Sequence, residues 1–437
     1  MGFVAMRHRR IQHETLKNRM RMNAIKYFYQ NNSSRQAGGR EDLQTEVKTD
    51  RIKVVRLISR LSVGGPAIHA ALLTERLDPK RFEQILVAGV GTEQEGDMLA
   101  LTNNSRVKPI FLNGLGREIS PRHDFKAVRE VVALLRHHKP HIVHTHTAKA
   151  GFVGRMAARL ARVPIVIHTF HGNVFQGYFS PAKTRLFISI EKRLASYSDR
   201  IVVLSEQQKE EIAGLGIGRD EQFRIVPLGL NLEPFLQAST LRGQLRAELG
   251  IAPDVPLVGI VARLVPIKAI DLFLQAVKPV LAQHPRAVFL VVGDGELRVA
   301  LEEQTRKLGI MDSVRFLGFR SDLPRIYADL DCVTLCSLNE GTPVAIIEAL
   351  ASARPVVATD VGSVRELVRH GHSGTLVPAG NPEQLAQGII ATLHNPARSD
   401  SHGLAGRQQV YPAWDAGRLV GDIETLYLDA LRQKSYI

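Results

Sequence analysis

Residues 256–296 read PLVGIVARLVPIKAIDLFLQAVKPVLAQHPRAVFLVVGDGE. The stretch opens on a short apolar run, LVGIVA, and passes through a loop that carries Arg263 and Lys268. It continues as DLFLQAVKPVLAQH, whose apolar residues recur at helical spacing, and ends in a second apolar run, AVFLVVG, before a Gly-Asp-Gly loop. Two wholly apolar strands joined by one amphipathic helix form a βαβ unit. Its strands lie parallel, and helices cover both faces of the sheet.

The same alternation extends in both directions. Downstream, the helix ELRVALEEQTRKLG is followed by strands VRFLG, CVTLCS, PVVAT and GTLVP, separated by helices around DLPRIYADL, PVAIIEALAS and VRELVRH. Upstream, from Arg51, strands IKVVRLI, FEQILVAGV, HIVHTH, PIVIHTF and RIVVLS alternate with amphipathic helices. FRIVPLGL closes that half, and NLEPFLQAST reads as a linker. The pattern predicts an α/β protein with two Rossmann-like doubly wound domains facing across a cleft. Four segments result: an extension over residues 1–50, an N-terminal domain over 51–235, a C-terminal domain over 241–410, and a terminal helix over 411–437 able to cross back to the first domain.

The extension is polar and includes NNSSRQAGGR, but Leu16, Met20, Ala24 and Phe28 recur at helical spacing among basic residues. Its readings are a disordered tail, an over-long start and a surface-binding amphipathic helix. No apolar run reaches the ~18 residues of a membrane span, and no secretory signal pattern opens the chain. Two cysteines among 437 residues give no disulfide framework, which fits a cytoplasmic protein. Cys332 and Cys336, four apart on one strand, are expected as buried packing groups. The net charge of +14 divides as +5 over residues 1–50, +10 over 51–240 and −1 over 241–437. A basic first half calls for an anionic partner: nucleic acid, anionic lipid or a phosphate-bearing substrate. Arg155, Arg159, Arg162, Lys183, Arg185, Lys192 and Arg193 crowd two of its helices.

Three loops of the second half point to a phosphate ligand. Arg263 and Lys268 follow its first strand, at the end of a doubly wound sheet where ligands gather. Gly293 and Asp294 sit in VVGDGE, where glycine lets the backbone approach a ligand closely. In EGTPVAIIE, Glu340 opens a helix and Glu348 lies within it; free N–H groups at such a helix start suit a phosphate, and a carboxylate a turn or two in suits ribose hydroxyls. Asp329 and Asp331 spell Asp-X-Asp but precede their strand, the wrong end for a ligand, and read as structural. His144 and His146 alternate on one strand, with His168 and His171 expected nearby. No acid or thiol accompanies them at ligand spacing, so no metal is expected there; a structural pair or a substrate contact is.

In order and spacing these segments, with SVGGPA, HTHTAKAG and HTFHG in the first half, resemble the family 4 glycosyltransferases, which have the two-domain GT-B fold and retain anomeric configuration. The resemblance runs from Arg51 to the final helix. It implies that Arg263 and Lys268 hold the diphosphate of a nucleotide sugar, that Glu348 binds the ribose, and that Glu340 contacts the sugar beside the reacting carbon. It further implies that Gly64 and Gly65 let the first loop close over the donor, that His171 meets the donor sugar, and that Thr342 and Val344 offer backbone N–H groups. Phe319 or Arg320 would meet the base, a uridine nucleotide being expected ahead of a guanosine one. Pro343 has no N–H to give, and Ala269 and Ala353 stand where the family often has glycine.

The function expected is transfer of a sugar from a nucleotide diphosphate sugar, the co-substrate, to a hydroxyl acceptor in cell-surface polysaccharide or glycolipid assembly. No metal and no further cofactor is implied. The basic half points to a lipid-linked or anionic acceptor and to peripheral association with the inner face of an anionic membrane. The rival readings are a nucleotide-sugar epimerase of similar fold and a basic nucleic-acid-binding protein; the latter lacks a zinc finger, an RRM signature or a basic stretch interleaved with aromatics.

Overall fold

The computed structural model describes residues 51–61, 64–90, 108–116, 121–172 and 180–436. The extension, with its three readings, and Ser62 and Val63 of the first loop lie outside the described residues. Residues 51–437 form one compact unit.

The first sheet contains β1 (Ile52–Ile58), β2 (Phe82–Gly89), β3 (Ile110–Leu112), β4 (Ile142–His146), β5 (Ile165–Thr169), β6 (Arg200–Val203) and β7 (Phe223–Ile225), ordered β3-β2-β1-β4-β5-β6-β7 and parallel throughout. The second contains β8 (Leu257–Val261), β9 (Val288–Val292), β10 (Val314–Gly318), β11 (Cys332–Leu335), β12 (Val356–Thr359) and β13 (Thr375–Val377), ordered β10-β9-β8-β11-β12-β13, again parallel. In each, the strand order reverses beside the first strand, between β1 and β4 and between β8 and β11. The crevice beyond the carboxyl ends at that reversal is where an open α/β sheet binds ligands. This is an α/β protein of two doubly wound domains.

The linker NLEPFLQAST is itself structured. It forms a short helix, Glu233–Leu236, and a 3-10 turn, Ala238–Leu241. Leu232 and Phe235 bury in one cluster with Leu245, Ile326, Tyr327 and Leu330 of the second domain. Pro234 suggests a break, but proline suits the first turn of a helix, where its missing N–H costs nothing. The helix Ala416–Gln433 packs Leu419, Ile423, Leu426, Tyr427, Ala430 and Leu431 onto Val54, Leu73, Ile142 and Ile165 of the first domain. Each such Leu or Ile contributes about 1.5–3 kcal/mol on burial, so the helix is an integral part of that core. Among the described residues, no helix is long and apolar enough to cross a membrane.

Candidate functional site

The loops after β8 and β9 interlock. The Leu264 N–H donates to the Asp294 carbonyl (2.9 Å), and a Cβ on Gly293 would lie 1.9 Å from the Ala262 carbonyl oxygen. Gly293, at φ 133°, is therefore needed for packing between the two loops. Asp294 accepts from the Gly295 N–H (2.8 Å). The Arg263 side chain is exposed and has no partner among the described residues.

Lys268 ends the 3-10 turn Pro266–Lys268, and its Nζ lies 2.5 Å from Glu340 Oε1. Cys336, whose thiol burial pushes up to about 12, donates to the Ala269 carbonyl (3.0 Å) just behind. Ser337 Oγ also donates to Glu340 Oε1 (2.6 Å), so the carboxylate, 7% exposed, has two donors. The backbone around it is pinned as well. Gly362, at φ 51°, is so close that a Cβ would fall 1.9 Å from the Glu340 carbonyl oxygen, and the Ser363 hydroxyl donates to the Gly341 carbonyl. The helix Val344–Ala351 begins here with Pro343 as its cap. Among the described residues, the N–H groups of Gly341, Thr342, Val344 and Ala345 have no acceptor, as expected of a helix start open to an anion.

Glu348 projects from that helix into the core and is 9% exposed. Its Oε2 lies 3.2 Å from the Tyr327 hydroxyl, which is also 3.1 Å from the Ala345 carbonyl. The hydroxyl is the donor to both oxygens, so its single proton is shared between the Glu348 carboxyl and the Ala345 carbonyl. Burial, the main cause, pushes the Glu348 carboxyl up to about 8, with the hydrogen bond from Tyr327 acting the other way. Phe319, at the end of β10, is 65% exposed. The Arg320 guanidinium is tied to Asp322 and Glu248 at 2.6–3.1 Å, hydrogen bonds that hold its pKa well up and leave the backbone as its free part. Asp329 accepts from the Arg246 N–H (2.9 Å), and Asp331 binds the Arg246 guanidinium (2.7 Å) and the Leu257 N–H (2.8 Å). Asp329 thus fixes the start of the helix Gln244–Leu249 and Asp331 the start of β8.

The first domain brings His171 to this site. A Cβ on Gly341 would lie 3.9 Å from the His171 carbonyl oxygen, which places the loop after β5 against the loop of Glu340. Gly65 begins the helix Gly65–Arg76 with Gly64 as its cap, and a Cβ on Gly65 would touch Leu228 at 3.6 Å. His146 Nδ1 and His171 Nε2 are 3.0 Å apart, and the His144 ring lies 4.3 Å from His146. His168 does not join them. It pairs in register with Thr145, whose Oγ1 meets its Nδ1 at 2.8 Å, and side chains one residue apart on a strand face opposite ways. The cluster gains His69 instead, 5.0 Å from His171 and 5.4 Å from His146, with neither ring nitrogen bonded. Burial drives all these imidazoles neutral, that of His171 down to about 3. His69 lies on the helix Gly65–Arg76, two residues past SVGGPA, as a lone histidine that no periodicity or spacing singles out.

One arginine of the basic group predicted from the sequence lies elsewhere. Arg155 is fully buried, bonded to Glu191 (2.6 Å) and the Gly151 carbonyl (2.9 Å), and does not belong to the basic surface. The reason is helical phase: on Ala148–Ala161 it falls on the buried face with Gly151, Ala157 and Ala158. Arg56, in the middle of β1, is buried too, bonded to Thr74, Gln84 and Tyr427.

Residues 64–229 match the family described as glycosyl transferase 4-like domain, and residues 255–395 match glycosyl transferases group 1. The chain is 29% identical over 332 residues, 75% of its length and 85% of the relative's, to UDP-Gal:alpha-D-GlcNAc-diphosphoundecaprenol alpha-1,3-galactosyltransferase of Escherichia coli. It is 31% identical over 302 residues, 65% of its length and 66% of the relative's, to D-inositol 3-phosphate glycosyltransferase of Streptomyces bingchenggensis. The fold is similar to that of Anabaena HepE in complex with UDP-glucose, with a TM-score of 0.72 at 23% identity, covering 87% of this chain and 100% of that one. Two doubly wound domains, a lysine–glutamate pair at an open helix start, and matches across both halves lead to one conclusion: the chain belongs to the family 4 type of GT-B glycosyltransferases.

Proposed function

We propose that this glycosyltransferase takes a UDP-hexose as donor and transfers the hexose, with retention, to a hydroxyl of a diphosphate-linked lipid sugar. The observation that carries the reading is the meeting of Lys268, Glu340 and the open start of Val344–Ala351 with His171 from the opposite domain. Lys268 has three N–H donors and gives one to Glu340, leaving two for a diphosphate. Arg263 and the free N–H groups of Thr342 and Val344 complete the positive environment that a departing diphosphate needs. No divalent cation enters the scheme, because side-chain cations and a helix start supply the charge and Asp329 and Asp331 are committed to Arg246. Glu348 would receive the ribose, Phe319 would stack on the base, and Glu340 and His171 would face the sugar.

The acceptor class is inferred from the first domain and from a relative. Lys183, Arg185, Lys192 and Arg193 are exposed on the helix Pro181–Ala195, where Leu186 is 58% exposed among them. Basic side chains around an apolar one suit an anionic membrane surface, each cation adding about 1 kcal/mol there. The Escherichia coli relative is named for a diphosphoundecaprenol-linked acceptor. The test is a panel of UDP-hexoses with GlcNAc-diphosphoundecaprenol in anionic vesicles, with and without EDTA. Product with the donor's anomeric configuration in both conditions is expected. An inverted anomer, or activity abolished by EDTA and restored by Mn²⁺, overturns the mechanism. Turnover only of water-soluble acceptors overturns the acceptor class.

A further inference from the structure

We propose that Tyr427, carried on the terminal helix, is a positioning residue for the loop that follows β5: with Arg56 behind it, Tyr427 fixes the tautomer of His144, and His144 seats Thr169, two residues before His171. The inference rests on the reading that His171 faces the sugar, and concerns what holds it there.

The direction of the hydrogen-bond chain follows from its first member. A guanidinium can only donate. Arg56 Nη2 lies 3.1 Å from the Tyr427 hydroxyl, so the phenol oxygen accepts there. Its own proton is then available to His144 Nδ1 at 2.7 Å. With the phenol proton given to it, His144 Nδ1 carries the lone pair, and the neutral ring holds its proton on Nε2 and donates it to Thr169 Oγ1 at 2.7 Å. Arg56 cannot turn away, since its Nη1 donates to Thr74 Oγ1 (2.6 Å) and Gln84 Oε1 (2.8 Å) and the side chain is wholly buried. Thr169 ends β5, and the loop it leads into carries His171 to His146 Nδ1 and to Gly341.

Docking the terminal helix does not explain these groups. Its leucines and isoleucines already fill the core between β1, β4 and β5. A phenylalanine at position 427 would fill the same space without burying a hydroxyl, and a buried cation with no carboxylate bonded to it is costly unless its hydrogen bonds serve a purpose. What the chain adds is a single orientation, passed from one end of the fold to the loop at the domain junction.

The experiment compares full-length wild type, Tyr427→Phe, Thr169→Val, Thr169→Ser and, as reference, His171→Ala. The readouts are ¹⁵N signals of histidine-labelled protein, UDP binding by calorimetry, and UDP release from UDP-glucose and UDP-galactose. Wild type should show His144 with Nε2 protonated and Nδ1 bare. Tyr427→Phe should shift the His144 and His171 signals together and lower kcat for UDP release by ~10-fold or more, with UDP affinity unchanged. Thr169→Val should reproduce the kinetic loss and Thr169→Ser should restore it, which decides the matter should Tyr427→Phe fail to fold. An Nδ1-protonated His144 in wild type, or a His171 signal unmoved by Tyr427→Phe and Thr169→Val, overturns the proposal. A His171→Ala variant with wild-type turnover would instead remove the sugar-facing role of His171, leaving the NMR result to judge the chain itself.

Discussion

The two domains repeat one topology, yet their interiors carry opposite chemistry. Around the reversal point of the first sheet the buried ionisable groups are chiefly bases and cations: Arg56, His69, His144 and His146, with His168 and the Arg155–Glu191 pair on the other face. At the corresponding place in the second sheet they are acids with assigned partners: Glu340 with Lys268 and Ser337, and Glu348 with Tyr327. Doubly wound sheets bring their carboxyl ends to a crevice whatever the sequence, so the fold sets where groups meet and the side chains set what each wall offers. Here one wall is a hydrogen-bonding surface of neutral imidazoles. The other is a fixed arrangement of charge and open backbone N–H groups.

The largest effect expected from breaking this asymmetry comes at the charged wall. Lys268→Ala should weaken UDP binding, measured by calorimetry, by about 1.5–3 kcal/mol, since charge-assisted hydrogen bonds are of that size. It also leaves Glu340 with one donor, so turnover should fall further than binding. Glu340→Ala should lower turnover while UDP affinity stays near wild type. Wild-type binding and turnover by both variants would sink the assignment of that wall.

A second difference should appear with pH. The buried histidines have folded pKa values below 6.5, so the unfolded chain binds more protons than the folded one below that pH. Their contribution is fully present above pH 6.5 and is lost as pH falls below it, that of His171 as pH falls toward about 3. Glu348 is opposite in sign. Its folded pKa of about 8 lies above the ordinary 4.5, so its contribution is present below 4.5 and is lost as pH rises through 8. Hydrogen exchange should show the first sheet losing protection first at pH 5 and the second first at pH 9. Glu348→Gln should flatten only the alkaline limb. Equal loss in both sheets at both extremes would erase the comparison.

The smallest effect sharpens the backbone side of the same contrast. Ala269 and Ala353, both in the second domain, sit at φ 46° and 53°, the left-handed region. A non-glycine residue there costs roughly 1–2 kcal/mol, against about 0.4–1 kcal/mol that glycine loses through its freer unfolded chain. Ala269→Gly and Ala353→Gly should therefore each raise Tm slightly, by roughly 1–2 °C. A fall in Tm for both would show that the loops are not strained.

The sequence by itself determined the architecture and the three loops of the second domain. Short apolar strands alternating with amphipathic helices admit little besides parallel doubly wound sheets, and loop residues such as Arg263, Lys268, Glu340 and Glu348 stand in contiguous, recognisable segments. Only the tertiary structure decided which buried polar groups meet. His69, His146 and His171 come from a helix, a strand and a loop, and Arg56, His144 and Tyr427 are joined across as many as 371 residues. Helical and strand phase also settled what composition left open, placing Arg155 in the core and His168 on the far face of the sheet. The physical reason is that hydrophobic period is a local signal carried by many residues at once. A buried hydrogen bond between two polar side chains depends on strand order, register and helix docking, none of which is encoded near either residue.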